Sequence, residues 1–442
     1  MFAGVMIATP SEPSFCEPDK VARTAKSGVP IGAQAQTPDG SLTITLTARL
    51  QHYNAHPRDA RDYYDQDIQS PKSVKFSPDG KKVYVNSLEG SATIAYDPAS
   101  LAKISVIRHR FGPDNELLIS NQPAFDYRFL AVPANGQVNW FSGKPVEMEF
   151  SHAGRYLWVS YYRRHYDENS LDPSAVAVID ALSDRIVKVL PSGPIPKYLA
   201  ASPDGRWMAF IHWGDNTVGL VDISSDMEHF QLTDLIVVEK RLSLDFLKAK
   251  KGSARIDRDK ECGFCLRGAI FTADSAHLLV GRLSGGGIAV INVSERRYVG
   301  TVWGMKPTPR HLALSSDGRW VYVGSNVGGY VAKFDAAELV RKAYEPDHRA
   351  TPKAETFVGS GARTIALSPD GRWVYVAVNA ESRLAVLRAD DLTKETEISV
   401  DSFPVGLAVS PDGRWVWVTS QGRSLRGGNS VSIYEIGFPM AR

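Results

Sequence analysis

Five basic residues occupy the same place ahead of a recurring Ser or Thr. Counting back five residues from Ser77, Ser151, Ser202, Thr272, Ser315, Ser368 and Ser410 gives Lys72, Val146, Lys197, Arg267, Arg310, Arg363 and Val405. The residues that follow these seven are Ser73, Glu147, Tyr198, Gly268, His311, Thr364 and Gly406. If the seven copies of the repeat are arranged in a ring, these five cations lie around its axis and repel one another. Such a ring favours binding of phosphate, carboxylate or a polyanion, for which Arg can make bidentate contacts. We therefore predict an anion-binding site formed by Lys72, Lys197, Tyr198, Arg267, Arg310, His311 and Arg363.

The alternative for these cations is structural. Their side chains would then point outward, or pair with acidic neighbours, for which the candidates are Glu147, Asp257, Asp259 and Glu261.

Cys262 and Cys265 form a second candidate set, in the sequence ECGFCL. The pair has no following His, which argues against covalent haem attachment. A disulfide that rigidifies the loop is the first interpretation. A half-site for zinc or copper, completed by His311, Asp257 or Asp259, is the second, and free thiols are the third. The spacing does not demand a metal, and we predict no cofactor.

The recurring Ser or Thr opens a phrase that is present in seven copies. The five strong copies are FSPDGKKVYVNS at 76–87, ASPDGRWMAFIH at 201–212, LSSDGRWVYVGS at 314–325, LSPDGRWVYVAV at 367–378 and VSPDGRWVWVTS at 409–420. Two degenerate copies lie at 150–161 and 271–282. Pro and Gly make a turn, and the alternating run after it predicts a strand. The shortest spacings, 42 and 43 residues, match one four-stranded blade, so we predict an all-β, seven-bladed β-propeller.

The two ends of the chain complement each other. The last copy runs out near Ile436 without a fourth strand, whereas 41–50 (SLTITLTARL) has strand character and no partners nearby. We therefore predict that 41–50 completes the last blade and closes the ring. The predicted organisation is a flexible leader or residual targeting segment at 1–40, one propeller domain at 41–436 and a short tail at 437–442.

The PDG-RWVYV repeats resemble the YVTN family of seven-bladed β-propellers over roughly residues 41–436. This resemblance implies the fold, because the shared residues form turns and strand packing. Propellers of this class include lactonases, haem- and copper-carrying redox domains, and binding proteins without chemistry. The resemblance therefore leaves the function open.

Composition narrows the possible partners. Lys plus Arg number 51 and Asp plus Glu 49, so the overall charge argues against nucleic acid and a membrane surface as partners. No apolar stretch approaches the roughly 18 residues of a membrane-spanning helix. The N-terminal MFAGVMIATP is too short for a complete secretory signal, yet export to the periplasm or the extracellular space remains our expectation. We expect a monomer.

Long insertions should gather on the face where the inner strands begin, at 50–69, 109–143, 161–173 and 240–261. They and neighbouring turns carry a predicted aromatic and basic rim, consisting of His52, His56, Tyr63, Tyr64, Tyr162, Arg163, Arg164, His165, Trp213, Arg423 and Arg426. Loops on a rigid scaffold are where recognition usually resides.

Three functions fit these features. The favoured one is a non-catalytic, exported propeller that binds an anionic ligand or a protein partner at this face. A lactonase-like hydrolase for a phosphorylated or carboxylated sugar lactone is the second, with His311 or Glu147 as general base. A redox propeller with a metal or haem near Cys262, Cys265 and His311 is the third.

Overall fold

The computed structural model describes residues 29–120, 141–252, 254–422 and 428–438. Within these described residues, three strands precede the first blade: β1 (Gln34–Gln36), β2 (Thr43–Gln51) and β3 (Asp62–Tyr64). Blade 1 contains β4 (Pro71–Phe76), β5 (Val83–Ser87), β6 (Ala92–Tyr96) and β7 (Lys103–Arg108). Blade 2 contains β8 (Arg110–Phe111), β9 (Phe141–Ser151), β10 (Tyr156–Arg164), β11 (Ser174–Asp180) and β12 (Arg185–Ser192). Blade 3 contains β13 (Pro196–Ala201), β14 (Trp207–His212), β15 (Thr217–Asp222) and β16 (Gln231–Val237).

Blades 4 to 7 continue the same antiparallel order. Blade 4 contains β17 (Leu266–Phe271), β18 (His277–Arg282), β19 (Ile288–Asn292) and β20 (Arg297–Val302), and blade 5 contains β21 (Pro309–Leu314), β22 (Trp320–Ser325), β23 (Tyr330–Asp335) and β24 (Ala354–Phe357). Blade 6 contains β25 (Ala362–Leu367), β26 (Trp373–Val378), β27 (Arg383–Arg388) and β28 (Lys394–Ser399). Blade 7 contains β29 (Pro404–Val409), β30 (Trp415–Ser420) and β31 (Ser430–Gly437). The helices are α1 (Leu244–Lys251) and α2 (Ala336–Tyr344), with 3₁₀ turns at Pro113–Leu118, His152–Gly154 and Met227–His229.

The chain is folded as the predicted seven-bladed β-propeller. One strand of each blade takes part in a closed ring of contacts between consecutive blades; these strands are β4, β9, β13, β17, β21, β25 and β29. These seven inner strands surround the central channel. Within the described residues, no helix has both the length and the apolar character needed to cross a membrane.

The predicted ring closure is confirmed. Strand β2 pairs antiparallel with β31, with Thr43 opposite Gly437 and Gln51 opposite Ser430, and thereby supplies the fourth strand of blade 7. Strand β1, inside the segment predicted as a leader, pairs with the outer edge of β2. Residues 1–28 and 439–442 lie outside the described residues.

The repeated SPDG turns satisfy their own polar groups. In blade 7, Ser410 Oγ donates to Asp412 Oδ1 at 2.5 Å and accepts from the Trp415 N–H at 2.9 Å. Asp412 Oδ1 also accepts from the Arg414 N–H at 3.0 Å, and Gly413 takes a φ of 72°, which suits Gly. Because the residues that recur in the repeat form this turn, the signature carries information about the fold rather than about ligands.

Side chains of the middle strands alternate between neighbouring blades, as a period-2 strand requires. In β26, Val374 and Val376 belong to the apolar core shared with blade 5. Trp373 and Tyr375, which alternate with these two valines along the strand, belong to the core shared with blade 7. Each blade is thus held by two apolar interfaces, and the inner strands are fixed around the axis.

Candidate binding site in the central channel

A cavity of about 290 Å³ lies on the propeller axis, where residues of all seven inner strands or of the turns that follow them line it. Of the seven residues predicted to follow the cation positions, all but Gly268 line this cavity. Of the five predicted cations, Arg267, Arg310 and Arg363 line it. Lys72 and Lys197 are not among its lining residues, so the predicted ring is present as an arc of three arginines.

A left-handed backbone residue precedes most inner strands and sets the entry of each into the channel. Positive φ angles occur at Ser70 (51°), Ile195 (56°), Cys265 (50°), Thr308 (63°), Gly361 (89°) and Phe403 (58°). Each lies immediately before the first residue of its inner strand, two residues ahead of the cation position. Left-handed φ is uncommon for residues other than Gly, so this recurrence marks a backbone geometry shared by six blades. It was not predicted from the sequence, because the six positions carry different residue types.

Arg267 is a buried cation with its charge compensated. Its Nη2 lies 2.6 Å from Glu147 Oε1, and its Nη1 donates to the Lys197 carbonyl at 2.7 Å. Since Glu147 is on blade 2 and Arg267 on blade 4, this ion pair passes over the inner strand of blade 3. It joins three blades across one side of the channel.

Lys197 is also buried, but a different set of groups surrounds it. Its Nζ lies 2.5 Å from Asp259 Oδ1, 3.7 Å from the ring centroid of Trp213 and 5.1 Å from that of Tyr162. Trp213 Nε1 in turn donates to the Asp259 carbonyl at 3.0 Å. The insertion between blades 3 and 4 therefore holds this cation in an aromatic and acidic enclosure, which matches the structural alternative stated for the ring.

Arg310 and Arg363 are 6% and 3% exposed and line the cavity. The Arg363 guanidinium lies 5.6 Å from the ring of Phe403. Among the described residues, the charged side chains in the cavity lining are Lys75, Arg267, Arg310, Arg363 and Glu147, so cations outnumber carboxylates there. Lys75 contacts Glu149 at 2.5 Å, and Arg267 contacts Glu147 at 2.6 Å.

Tyr198 and His311 meet across the channel. The Tyr198 hydroxyl lies 3.2 Å from His311 Nε2, with the rings edge to face at 5.6 Å. Burial, together with Arg267, Arg310 and Lys75, lowers the pKa of His311 to about 3. Burial and nearby Glu147 raise the pKa of Tyr198, so both side chains are neutral near pH 7.

Gly268 explains how residues from blades 3 and 5 come so close. A Cβ at this position would lie 2.6 Å from the Arg310 carbonyl oxygen and 2.8 Å from the His311 Cα. Glycine therefore allows β17 and β21 to approach each other, which brings His311 within reach of Tyr198. A close backbone approach of this kind is a recognised role of glycine in strands.

Cys262 and Cys265 form a disulfide in the structure, with Cα atoms 4.7 Å apart. The bridge is buried in a cluster with Ile195, Trp213 and Leu283. It lies at the start of blade 4, directly ahead of Arg267 and near the loop that carries Asp259. No group of three or more His, Cys, Asp or Glu side chains that could hold a metal is found among the described residues.

The insertions meet on one face, with mixed outcomes for the predicted rim. Tyr63 and Tyr64 are 42% and 44% exposed, and the Tyr64 ring lies 5.8 Å from that of His52. Arg164 differs from the prediction, because it is 1% exposed and lies 3.7 Å from Asp172. Tyr162 and Trp213 enclose Lys197 as described above. His56 and His165 are exposed, and Arg163 lies over the Tyr162 ring at 5.1 Å. Arg423 and Arg426 lie outside the described residues, as does 121–140 of the second insertion.

Two further charged residues of the inner strands, of which Lys75 lines the cavity, were not predicted from the sequence. Lys75 and Glu149 stand two residues beyond Ser73 and Glu147 on their inner strands, and form an ion pair between blades 1 and 2. Because side chains alternate along a strand, residues i and i+2 lie on the same side. The spacing of two residues from Ser73 and from Glu147 could therefore have predicted that Lys75 and Glu149 lie on the same side of their strands as these residues.

Comparison with known proteins supports the architecture. The profile of a family described as "Lactonase, 7-bladed beta-propeller" matches residues 274–437. The chain is a seven-bladed β-propeller. The match spans blades 4 to 7, where the strong copies of the repeat are most closely spaced.

Two solved structures are similar to this propeller at low identity. Hydrazine synthase of Kuenenia stuttgartiensis aligns with a TM-score of 0.56 and 13% identity, covering 86% of this chain and 98% of that one. The Cps50 (Swd1) β-propeller domain of Myceliophteria thermophila aligns with a TM-score of 0.56 and 13% identity, covering 83% and 96%. At this identity the likeness concerns the fold alone. None of the curated proteins compared with the sequence matches it.

Proposed function

We propose that this propeller binds a small anionic ligand in its central channel, without transforming it. The observation that carries the proposal is the pair Arg310 and Arg363, buried on adjacent blades and both lining a cavity with an excess of cations. Guanidinium groups in a cavity sheltered from water bind carboxylate or phosphate through charge-assisted hydrogen bonds, which are stronger than neutral ones.

The size of the cavity favours a small ligand. At about 290 Å³ it lies at the lower end of the range for small-molecule sites, which is roughly 300–1,000 Å³. A polyanion, which the sequence left open, would have to remain largely outside. A ligand with one or two negative charges fits both the volume and the charge excess.

Thermal unfolding with and without methyl phosphate or acetate tests this proposal. We expect each anion to raise the Tm of the parent protein in a concentration-dependent way, because a ligand that binds the folded state stabilises it. Arg310→Gln with Arg363→Gln should abolish that rise. Arg319→Gln, an exposed arginine in a turn at the opposite end of the channel, serves as the matched control and should respond like the parent. A folded double variant that keeps the full rise would refute the proposal.

Lactone hydrolysis is a second candidate function, favoured by the family profile that matches residues 274–437. The geometry offers it weak general bases. His311 has a pKa of about 3, far below the pH at which a general base works best, and Glu147 is engaged by Arg267 at 2.6 Å. Titration of acid released from sugar lactones would decide between the two functions. If the parent protein hydrolyses a lactone faster than buffer does, and His311→Gln loses this activity, the protein is a lactone hydrolase and the proposal of binding without chemistry is wrong.

We further propose that the protein works in an oxidising compartment outside the cytoplasm. The support is the Cys262–Cys265 bridge, since disulfides persist mainly in exported proteins. Intact mass of the protein taken from its native source should rise by about 2 Da on reduction. An unchanged mass would contradict the proposed compartment.

A further inference from the structure

We infer that the central cavity is entered from the end of the propeller that carries the SPDG turns, through a mouth bounded by Pro78 and Pro411. The sequence predicts ligand binding at the opposite face, where the insertions gather, because loops on a rigid scaffold are the usual place of recognition. The inference concerns the route into the cavity. It therefore goes beyond the proposed function and does not depend on the class of ligand.

The cavity follows the inner strands of blades 1 and 7 for most of their length. Its lining contains 73–78 of blade 1, and 405–409 together with Pro411 of blade 7. Blades 4 to 6 contribute only residues near the start of their inner strands, namely Arg267, Arg310, His311, Arg363 and Thr364. Because the inner strands begin on the insertion-rich face and end at the SPDG turns, the cavity extends along blades 1 and 7 to the end that carries these turns.

The two ends of the cavity differ in exposure. Among the described residues that line it, Pro78 and Pro411 alone are exposed, and each directly follows the repeated Ser of its turn. At the other end, Arg267, Arg310 and Arg363 are each at most 6% exposed. Solvent therefore reaches the cavity at the SPDG turns of blades 7 and 1.

Buried hydrogen bonds join blades 1 and 7 at the insertion-rich end. Lys72 Nζ donates to Gln421 Oε1 at 3.4 Å, and Gln421 Nε2 donates to Ser70 Oγ at 2.7 Å. Ser70 and Gln421 are 6% and 8% exposed. Parting the two blades here would leave buried polar groups without partners, which is unfavourable, so this end stays closed.

An anion that enters at the mouth meets Lys75 before the arginines. Lys75 lies three residues before Pro78, and its side chain is 33% exposed, against 7% for that of Arg267. Arg310 and Arg363 are buried at the other end of the cavity. Since a cation in a narrow passage raises the local concentration of anions, the route leads an anion from Lys75 to the buried arginines.

The turns at the mouth do not oppose this route by their charge. Each carries a carboxylate and, two residues later, a cation, as in Asp79 with Lys81 and Asp412 with Arg414. The charges within each turn therefore balance, and the charge of the passage is set by the residues inside it.

The reaction of a thiol placed in the cavity tests the route without any ligand. In a Cys16→Ser background, whose other cysteines form the disulfide, Thr364→Cys puts one free thiol in the cavity lining. The small anionic reagent 2-sulfonatoethyl methanethiosulfonate forms a mixed disulfide with a thiol and releases methanesulfinate, so intact mass against time gives the rate. We expect Pro78→Trp with Pro411→Trp to slow this reaction by about tenfold or more, because the reagent must wait for the side chains at the mouth to move.

Two further tryptophan variants are matched controls. Ser316→Trp changes the turn position of blade 5 that is equivalent to Pro411 but does not line the cavity, and Ser360→Trp changes an exposed residue on the insertion-rich face, in the loop before β25. Both should leave the rate unchanged. The turn accepts other residue types at this position, since blades 2 and 4 carry His152 and Ala273 there. Unfolding would expose the thiol and raise the rate, so slowing cannot come from loss of the fold.

The outcomes separate this inference from the proposed function. Slowing by Ser360→Trp and not by the double variant would place the entrance on the insertion-rich face and overturn the inference. Equal rates in all variants, or no reaction of the Thr364→Cys protein itself, would overturn it as well, because the mouth would then not control access. If the rates follow the expectation but methyl phosphate does not raise the Tm, the route stands and the proposed function fails.

Discussion

The inner strands of blades 3 and 6 carry a cation at the same position of the repeat, yet the two cations have different surroundings. Lys197 is enclosed by Asp259, Trp213 and Tyr162, whereas Arg363 lines the central cavity. The difference follows from the segment that leads into the next blade. After blade 3 this segment is long, 238–265, and supplies Asp259; after blade 6 it is short, 400–403. An insertion thus converts a potential binding residue into a structural one.

The largest expected effect comes from breaking the enclosure of Lys197. Asp259→Asn removes the carboxylate 2.5 Å from Nζ and leaves a buried ammonium without its counter-charge. We expect the free energy of unfolding to fall by about 3 kcal/mol, as for other buried pairs that lose one partner. Chemical denaturation measures this.

A double variant tests the cause of that loss. Adding Lys197→Met to Asp259→Asn should recover part of the stability, because no buried charge remains. Asp226→Asn, at an exposed carboxylate, is the control and should change stability by less than about 0.5 kcal/mol. A loss that persists fully in the double variant would mean that Asp259 acts through the fold of its loop instead.

Ligand affinity should show the opposite ranking of the two cations. Arg363→Gln is expected to weaken binding of methyl phosphate by about 10- to 100-fold, the range for one charged hydrogen bond in a buried site. Lys197→Gln should weaken it by less than about threefold, because Asp259 already compensates that charge. Calorimetric titration of both variants measures the difference, and equal effects would show that the enclosure does not isolate Lys197 from the cavity.

Acid should destabilise the protein partly through His311. The folded state holds the pKa of this residue at about 3, below the ordinary value of 6.5, so the unfolded chain takes up the proton first as the pH falls. The free energy of unfolding therefore decreases from about pH 6.5 down to pH 3, by up to about 1.4 kcal/mol per pH unit for this residue.

His311→Gln should flatten this dependence. The dependence should not disappear, because His109 and His212 also have pKa values lowered by burial, to about 3 and about 4. Their contribution to the slope is the same in the variant and in the parent. Unfolding followed at pH 7, 6, 5 and 4 gives both slopes. If the two slopes coincide, the folded state does not lower the pKa of His311, which would contradict this prediction.

The smallest effect concerns two single hydroxyl groups, on Tyr198 and Thr364, both of which line the channel cavity. Tyr198→Phe removes the contact with His311 Nε2, and Thr364→Val removes the bond from Thr364 Oγ1 to the Val405 carbonyl at 2.9 Å. Each should cost about 1 kcal/mol of unfolding free energy. Tyr198→Phe should also shift the acid slope through His311, whereas Thr364→Val should leave it unchanged; the same shift in both would argue against a specific Tyr198–His311 contact.

Much of the fold could be predicted because its determinants are local. The SPDG turns contain their own hydrogen-bond partners within six residues, as Ser410, Asp412 and Trp415 illustrate. The closure of blade 7 by the N-terminal strand was also predictable, because a blade that lacks its fourth strand requires one from elsewhere in the chain.

The site was predictable only in part. Alignment of the repeat found Arg267, Arg310 and Arg363, since equivalent residues of the blades face the same axis. It did not separate them from Lys197, nor find Lys75 and Glu149. The counter-charges come from other blades or from insertions, and no repeat spacing records how those segments fold.

The sequence by itself determined the number of blades, the strand order within each and the closure by β2, because turns and alternation act over a few residues. Only the tertiary structure decided which cations line the cavity. That choice depends on contacts between residues more than fifty positions apart, as for Lys197 with Asp259 and Arg267 with Glu147. Burial makes these contacts decisive, because a buried charge is stable only where a distant partner reaches it.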